Sequence, residues 1–213
     1  FEIEIRTSGL AGSGSVGLVA DSIVANSVDS VYFTGLPLGQ TMKAYTRSLC
    51  ANGEQSEWAP SNDIFIFATI DSLPYSEDFN LNDGGWKAFG TNSSWEYGLP
   101  ANTNIVPYSG NAWVTNLDGP YNASEESFLY TPYFDLTTLG IGEATVQFKL
   151  RTHTESLSLT GTNWDAVRLE MSTDGTNWFL VDAASATGWY NKNPYSVYQL
   201  TRTWGGDNGA WND

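Results

Sequence analysis

Short alternation of apolar and polar residues recurs along this chain, and no long apolar run of helical period accompanies it. Period-two alternation bounded by Gly, Asn, Asp, Ser and Pro is the pattern of half-buried strands. Phe1-Glu2-Ile3-Glu4-Ile5-Arg6 alternates strictly. Val31-Tyr32-Phe33 and Ala44-Tyr45-Thr46-Arg47 read as further strands, and Ile64-Phe65-Ile66-Phe67 as an apolar run able to close a sandwich. Beyond a turn-rich stretch, strands are predicted over residues 111–115 and 144–150. A hairpin is predicted between residues 166–172 and 178–181, where Asp174-Gly175 supplies the positive φ of a tight turn. Many short strands joined by loops of uneven length predict an all-β chain of sandwich or jelly-roll type.

The texture of the sequence changes around residues 68–76. One Trp (Trp58) precedes residue 70 and eight follow it. Ala68-Thr69-Ile70-Asp71-Ser72-Leu73-Pro74 reads as a short connection. The expected organisation is therefore a first module over 1–69, a linker over 70–73 and a second module over 74–213. The chain opens on Phe1 inside a strand pattern and closes on Trp211-Asn212-Asp213 in a polar stretch, so both modules are expected to be pieces of a longer protein.

Composition narrows the class of partner. Of 213 residues, 24 are acidic and 9 basic, a net charge of −15. Such a field repels phosphate backbones and argues against nucleic acid. No run of 18 apolar residues occurs, so no membrane span is expected in this fragment. Cys50 is the single cysteine, which excludes an intrachain disulfide.

Two resemblances follow from these strings. Leu36-Pro37-Leu38-Gly39-Gln40-Thr41-Met42-Lys43-Ala44-Tyr45-Thr46-Arg47-Ser48-Leu49-Cys50 resembles the E–F corner of bacterial fibronectin type III domains. Met42 stands where that family carries its corner tyrosine, so an apolar plug replaces a phenol hydrogen bond. Asn52-Gly53-Glu54-Gln55-Ser56-Glu57-Trp58 resembles the following turn. The resemblance implies an Ig-like sandwich lacking its N-terminal strands. In the second module, Pro74-Tyr75-Ser76-Glu77-Asp78-Phe79-Asn80 with Gly85-Trp86, then Ser94-Trp95-Glu96-Tyr97-Gly98, Leu129-Tyr130-Thr131-Pro132-Tyr133-Phe134-Asp135-Leu136 and Trp164-Asp165-Ala166-Val167 are similar in order and spacing to MAM domains and the cleaved-adhesin domains of gingipains. That implies a jelly roll lacking its last strands.

Candidate chemistry is sparse. His153 is the single histidine, no nucleophile-elbow pattern surrounds any serine, and zinc lacks its usual ligands. Jelly rolls of the resembled family carry a structural calcium. By position the resemblance implies Glu77, Asn80 and Asp165 as ligands, with Asn116 and Asp118 as loop contributors. The alternative is that these are ordinary turn and cap residues. Trp and Tyr can stack on sugar rings. Trp164, Trp189, Tyr190 and Tyr195 are candidates from loop-rich contexts, whereas Trp86, Trp95, Trp113 and Trp178 are expected in the core. Ser22, Ser30 and Ser72 each follow an Asp and precede an apolar residue. This resembles the O-glycan acceptor motif of type IX-secreting bacteria, although Asp-Ser is also a common turn pair.

These features predict a non-catalytic adhesion, binding or spacer segment of a multidomain extracellular or cell-surface protein. Its expected partners are protein or glycan ligands and neighbouring modules. Two alternatives stay open: an accessory module of a secreted peptidase or glycosidase, and a carbohydrate-binding module.

Overall fold

The computed structural model describes residues 1–102, 110–140, 144–157, 162–163, 165–181 and 204–205. Within them the chain is all-β. The described helical segment is one 3-10 turn, Thr137–Leu139. No helix among the described residues is long and apolar enough to cross a membrane. Strands run in the order β1 (Glu2–Arg6), β2 (Leu18–Ile23), β3 (Thr41–Arg47), β4 (Ala59–Phe65), β5 (Thr69–Ile70), β6 (Lys87–Thr91) and β7 (Trp95–Gly98). They continue as β8 (Ala112–Thr115), β9 (Glu126–Tyr130), β10 (Tyr133–Phe134), β11 (Ser156–Leu157), β12 (Thr162–Asn163), β13 (Glu170–Met171) and β14 (Phe179–Leu180). By contact density the chain forms two compact units. One comprises Phe1–Ser93 with Ser124–Gly142, the other Ser94–Ala123 with Glu143–Asp213.

The first unit is organised by a four-stranded sheet of order β2-β1-β3-β4, with all three pairings antiparallel. Strict alternation in β1 gives that sheet two different faces, because successive side chains point to opposite sides. Ile3 and Ile5 share one face with Ala44 and Thr46, their partners on β3. Ile5 and Met42 are buried there, Met42 to 1% exposure. Glu2, Glu4 and Arg6 take the opposite face.

On that second face sits a buried ion pair. The Arg6 side chain is 1% exposed. Its Nε donates to Glu4 Oε2 at 2.6 Å. Its two terminal nitrogens donate to Val16 O at 3.0 Å and Gly14 O at 2.6 Å. The Gly12 N–H closes the ring by donating to the same Glu4 oxygen at 2.9 Å. A guanidinium is tolerated in the interior only when paired and hydrogen-bonded, and here the loop over residues 7–17 supplies the acceptors. Gly17, at φ +73°, lets that loop pass Ser8: a Cβ there would lie 2.3 Å from the Ser8 carbonyl oxygen. Nearby, Arg47 donates to Glu2 at 2.6 Å and stacks 4.5 Å over the Trp58 ring.

Strands from either side of residues 70–73 join the same unit. β6 pairs antiparallel with β9, and β5 pairs parallel with β10. Phe67 collects the rings of Phe65, Phe89, Tyr130 and Tyr133 around it at centroid distances of 4.8, 6.3, 6.1 and 5.5 Å. Lys87 Nζ donates to Thr41 Oγ1 at 3.1 Å and lies over the Phe65 ring.

In the second unit, β7 and β8 form an antiparallel pair in which Tyr97 faces Trp113. Alternation along β8 buries Ala112 and Val114. Val167 and Trp204 exchange both backbone hydrogen bonds at 2.8 Å, and the buried Trp204 ring meets Phe148 edge-on at 5.6 Å. β13 and β14 form the expected hairpin. Asp174 Oδ1 accepts the N–H groups of Thr176 and Asn177 at 2.8 and 2.7 Å, and Gly175 has φ +71°.

Some expectations are corrected. Val31-Tyr32-Phe33 alternates, with Tyr32 89% exposed between half-buried neighbours, but it belongs to no ladder. Residues 144–149 form no strand either. In both cases the side-chain period is present, yet a strand also needs a continuous ladder with a neighbouring segment, which period alone does not supply. Trp178 is 41% exposed rather than in the core. Its hairpin has only two paired positions, and Met171 and Phe179 beside it are also exposed.

Removing one partner of the Glu4–Arg6 pair leaves the other charge buried. Arg6→Met is expected to cost about 3–5 kcal/mol in denaturant unfolding, and the double change with Glu4→Met distinctly less. The Arg6 hydrogen bond, with lesser help from Gly12 and against the cost of burial, holds the Glu4 carboxyl below its ordinary value of 4.5. A depressed carboxyl contributes stability that is present above the unfolded value and lost as pH falls through the folded one. The gap in melting temperature between the native chain and Glu4→Gln should therefore be widest near neutral pH and close in acid. A gap that does not change with pH would contradict this assignment.

Candidate functional site

The structure distributes the nominated residues between the two units. Glu77 and Asn80 lie in the first, Asn116, Asp118 and Asp165 in the second. Glu77 is half-buried and its Oε1 accepts the Phe79 N–H at 2.7 Å. Phe79 is held at φ +60°, so this carboxylate serves an unusual backbone turn. Asn80 is exposed, and its N–H donates to Asp78 Oδ1 at 3.0 Å.

Asn116 and Asp118 are brought together in one loop. Asn116, at φ +67°, donates its backbone N–H to Ser94 O at 2.7 Å. Its side-chain oxygen accepts from the N–H groups of Asp118 and Gly119 at 3.1 and 3.0 Å, and its Nδ2 donates to Pro120 O at 2.9 Å. Both ends of the amide are thus used to fold the loop.

That loop leads to Tyr121, a residue the sequence reading did not single out. The Tyr121 hydroxyl donates to Asp165 Oδ2 at 2.6 Å and accepts the Glu155 N–H at 3.1 Å. Thr154 Oγ1 donates to Asp165 O at 3.1 Å. Three separate segments of the second unit are tied at one phenol. Desolvation, followed by the Asp165 hydrogen bond, pushes the Tyr121 phenol up to about 12. A phenol held in its protonated form is a donor and a tether, and it cannot act as a base near neutral pH. His153 beside this knot is exposed.

A calcium site needs six to eight oxygens around one point. Glu77 and Asn116 spend oxygens on their own turns and Asp165 accepts the Tyr121 hydroxyl, and no group of three or more His, Cys, Asp or Glu side chains gathers among the described residues. The calcium assignment therefore stands on the family resemblance, without a cage of side chains behind it. Trp164, Trp189, Tyr190 and Tyr195 lie outside the described residues. Ser30 and Ser72 are exposed, and Ser22 is half-buried within β2. Only a contact between distant loops identifies Tyr121, and a lone Tyr in a polar loop carries no sequence signal for it.

No family model matches the chain, and no solved structure matches it. Over 75 residues the chain is 36% identical to Bacillopeptidase F of Bacillus subtilis (strain 168), a stretch covering 34% of this chain. The match spans 5% of that protein's length.

The Tyr121 knot makes a pH prediction. An acid whose folded pKa is raised contributes stability that is complete below the unfolded value, near 10, and is lost as pH rises towards about 12. Absorbance titration near 295 nm should show one phenol ionising well after the exposed tyrosines. Tyr121→Phe should remove that late step and lower the melting temperature at pH 8. If the late step persists in Tyr121→Phe, another phenol is responsible.

Proposed function

We propose that this chain is a non-catalytic accessory segment of a multidomain extracellular hydrolase, acting by binding or spacing. The likeness to a short stretch of a much longer peptidase carries the reading: a segment making up 5% of such a protein is the size of an appended part. The broader adhesion or spacer role keeps the same physical basis, an all-β chain of one-signed charge.

The state of the carboxyl groups supports the absence of chemistry. General acids that work near neutral pH are carboxyls pushed upward by burial or like charge. Glu4, Asp78, Asp135 and Asp174 go the other way, each lowered. For Asp78 and Asp174 the largest cause is a backbone N–H, and for Asp135 it is the Thr137 hydroxyl. These groups stay ionised and serve turns. The fibronectin type III and jelly-roll assignments of the two sequence modules, with linker 70–73 between them, belong to this same proposal.

Two measurements test it. The purified chain should hydrolyse neither casein nor chromogenic glycosides above buffer. Turnover that vanishes on His153→Ala or Asp165→Ala would overturn the non-catalytic reading. Calcium is the second arm. An ion that binds only the folded chain raises stability by about 2.7 kcal/mol at one hundred times its Kd, so the melting temperature should rise with calcium, fall with chelator, and respond less in Asp165→Ala. Melts indifferent to both reagents remove calcium from the proposal.

A further inference from the structure

The four-stranded sheet has two edges, and they differ. On β4 the edge is closed to pairing. Pro60 lies opposite Tyr45 and has no N–H to offer, and the register slips between Lys43 and Tyr45. On β2 the edge is open. Phe1 and Val24 exchange both backbone hydrogen bonds at 2.8 Å. Antiparallel alternation then makes Ile3–Ser22 and Ile5–Ala20 the next hydrogen-bonded pairs. The N–H and C=O groups of Asp21 and Ile23 therefore point away from the sheet. No hydrogen bond among the described residues uses them.

Two features flank this edge. At its Val24 end lies a groove of about 310 Å³ lined by Ile3, Val24, Val28, Val31 and Phe33, with Asp29 at the rim. On the edge itself Asp21 is exposed. Its neighbour on β1, Glu4, is neutralised by Arg6, but Asp21 and Asp29 have no ion pair among the described residues.

We propose that the open edge of β2 captures an extended, basic polypeptide segment as an added strand, seating one of its apolar side chains in the adjacent groove. Outward main-chain donors and acceptors repeating at strand spacing complement another extended backbone, and the flanking groove adds side-chain selection. Sugars do not present that repeat. A phosphate backbone meets a chain of net charge −15 and two uncompensated carboxylates, whereas lysine or arginine side chains meet attraction. The edge of six residues spans about 20 Å, room for a peptide of similar length. This inference rests on the reading of the chain as a non-catalytic binding segment and names what it binds.

The test uses the whole 213-residue chain and a fluorescein-labelled heptapeptide of alternating lysine and valine, followed by anisotropy. Saturable binding is expected below about 1 mM. The same peptide N-methylated at alternate amides, on the register that faces the sheet, should bind at least about tenfold more weakly, and its glutamate–valine counterpart not at all. Asp21→Pro removes one outward N–H without touching the internal ladder and should also weaken binding about tenfold. Asp21→Asn should weaken it about threefold, with the difference vanishing near 0.5 M salt. Near-UV circular dichroism checks that Asp21→Pro is folded. Should it not fold, the N-methylated peptide against the native chain decides alone. No binding by the lysine–valine peptide, or equal binding by its N-methylated form, overturns the proposal. So does self-association of the chain that Asp21→Pro abolishes while peptide binding is absent, since the edge would then belong to a second copy. None of these outcomes bears on catalysis, which the turnover assay decides separately.

Discussion

Burial of one guanidinium governs the path of the chain through the first unit. Arg6 is the last residue of β1, where the register slips by one position, and its side chain is almost wholly withdrawn from water. An unpaired charge there would be prohibitive. Glu4 supplies the counter-charge from two residues earlier on the same face, and the remaining donors reach the carbonyls of Gly14 and Val16. The loop over residues 7–17 is rich in Gly and Ser, which favour no single conformation, and ordering it costs backbone entropy at every position. The ion pair converts that loop into a defined return. β2 thus enters beside β1 in the register that puts Val24 opposite Phe1. A buried ion pair need not exceed an apolar replacement in net stability. Its contribution here is that only one loop conformation satisfies it.

The same alternation that places Glu4 and Arg6 together places Ile3 and Ile5 on the reverse side. The sheet therefore has a charged face, closed by the loop and by Arg47 on Trp58, and an apolar face. Ile5 and Met42 are buried there while Ile3 and Val24 line an open groove. A sheet with one sealed edge, one free edge and a groove beside the free one is asymmetric in what it can accept. That asymmetry comes from Pro60 on one side and the Arg6-directed loop on the other.

Sequence pattern alone conveyed the fold class, the alternation of β1 and β3 and the Asp174-Gly175 hairpin. Each rests on information local to a few residues: side-chain period or turn chemistry. The failures share a different cause. Val31-Tyr32-Phe33 has the period of a strand but belongs to no ladder, and pairing is a property of the tertiary arrangement. The family resemblance puts Trp178 in the core, but burial depends on what covers a hairpin. The Tyr121 knot joins residues 34 and 44 positions apart, a separation that no motif spans. Likewise, Glu4 and Arg6 read as ordinary outward charges on an alternating strand, because the carbonyls that bury Arg6 come from a loop with no charge pattern.

The acidic surplus can be followed through the structure residue by residue. Asp83 accepts the Gly85 N–H at 2.9 Å, and Asp135 accepts both the N–H and the hydroxyl of Thr137. Asp174 folds an entire hairpin turn around one carboxylate. Turn N–H groups need acceptors wherever no ladder supplies them, and a chain of short strands has many such turns. Asp and Asn are the residues that meet this need with the least side chain. The one-signed charge is thus partly a by-product of folding many loops without helices. The carboxylates that remain uncommitted are informative for that reason. Asp21 and Asp29 serve no turn and no ion pair among the described residues, and both stand beside the open edge of β2. Charge that folding does not use, next to main-chain groups that folding leaves unpaired, is where this surface is prepared for something outside itself.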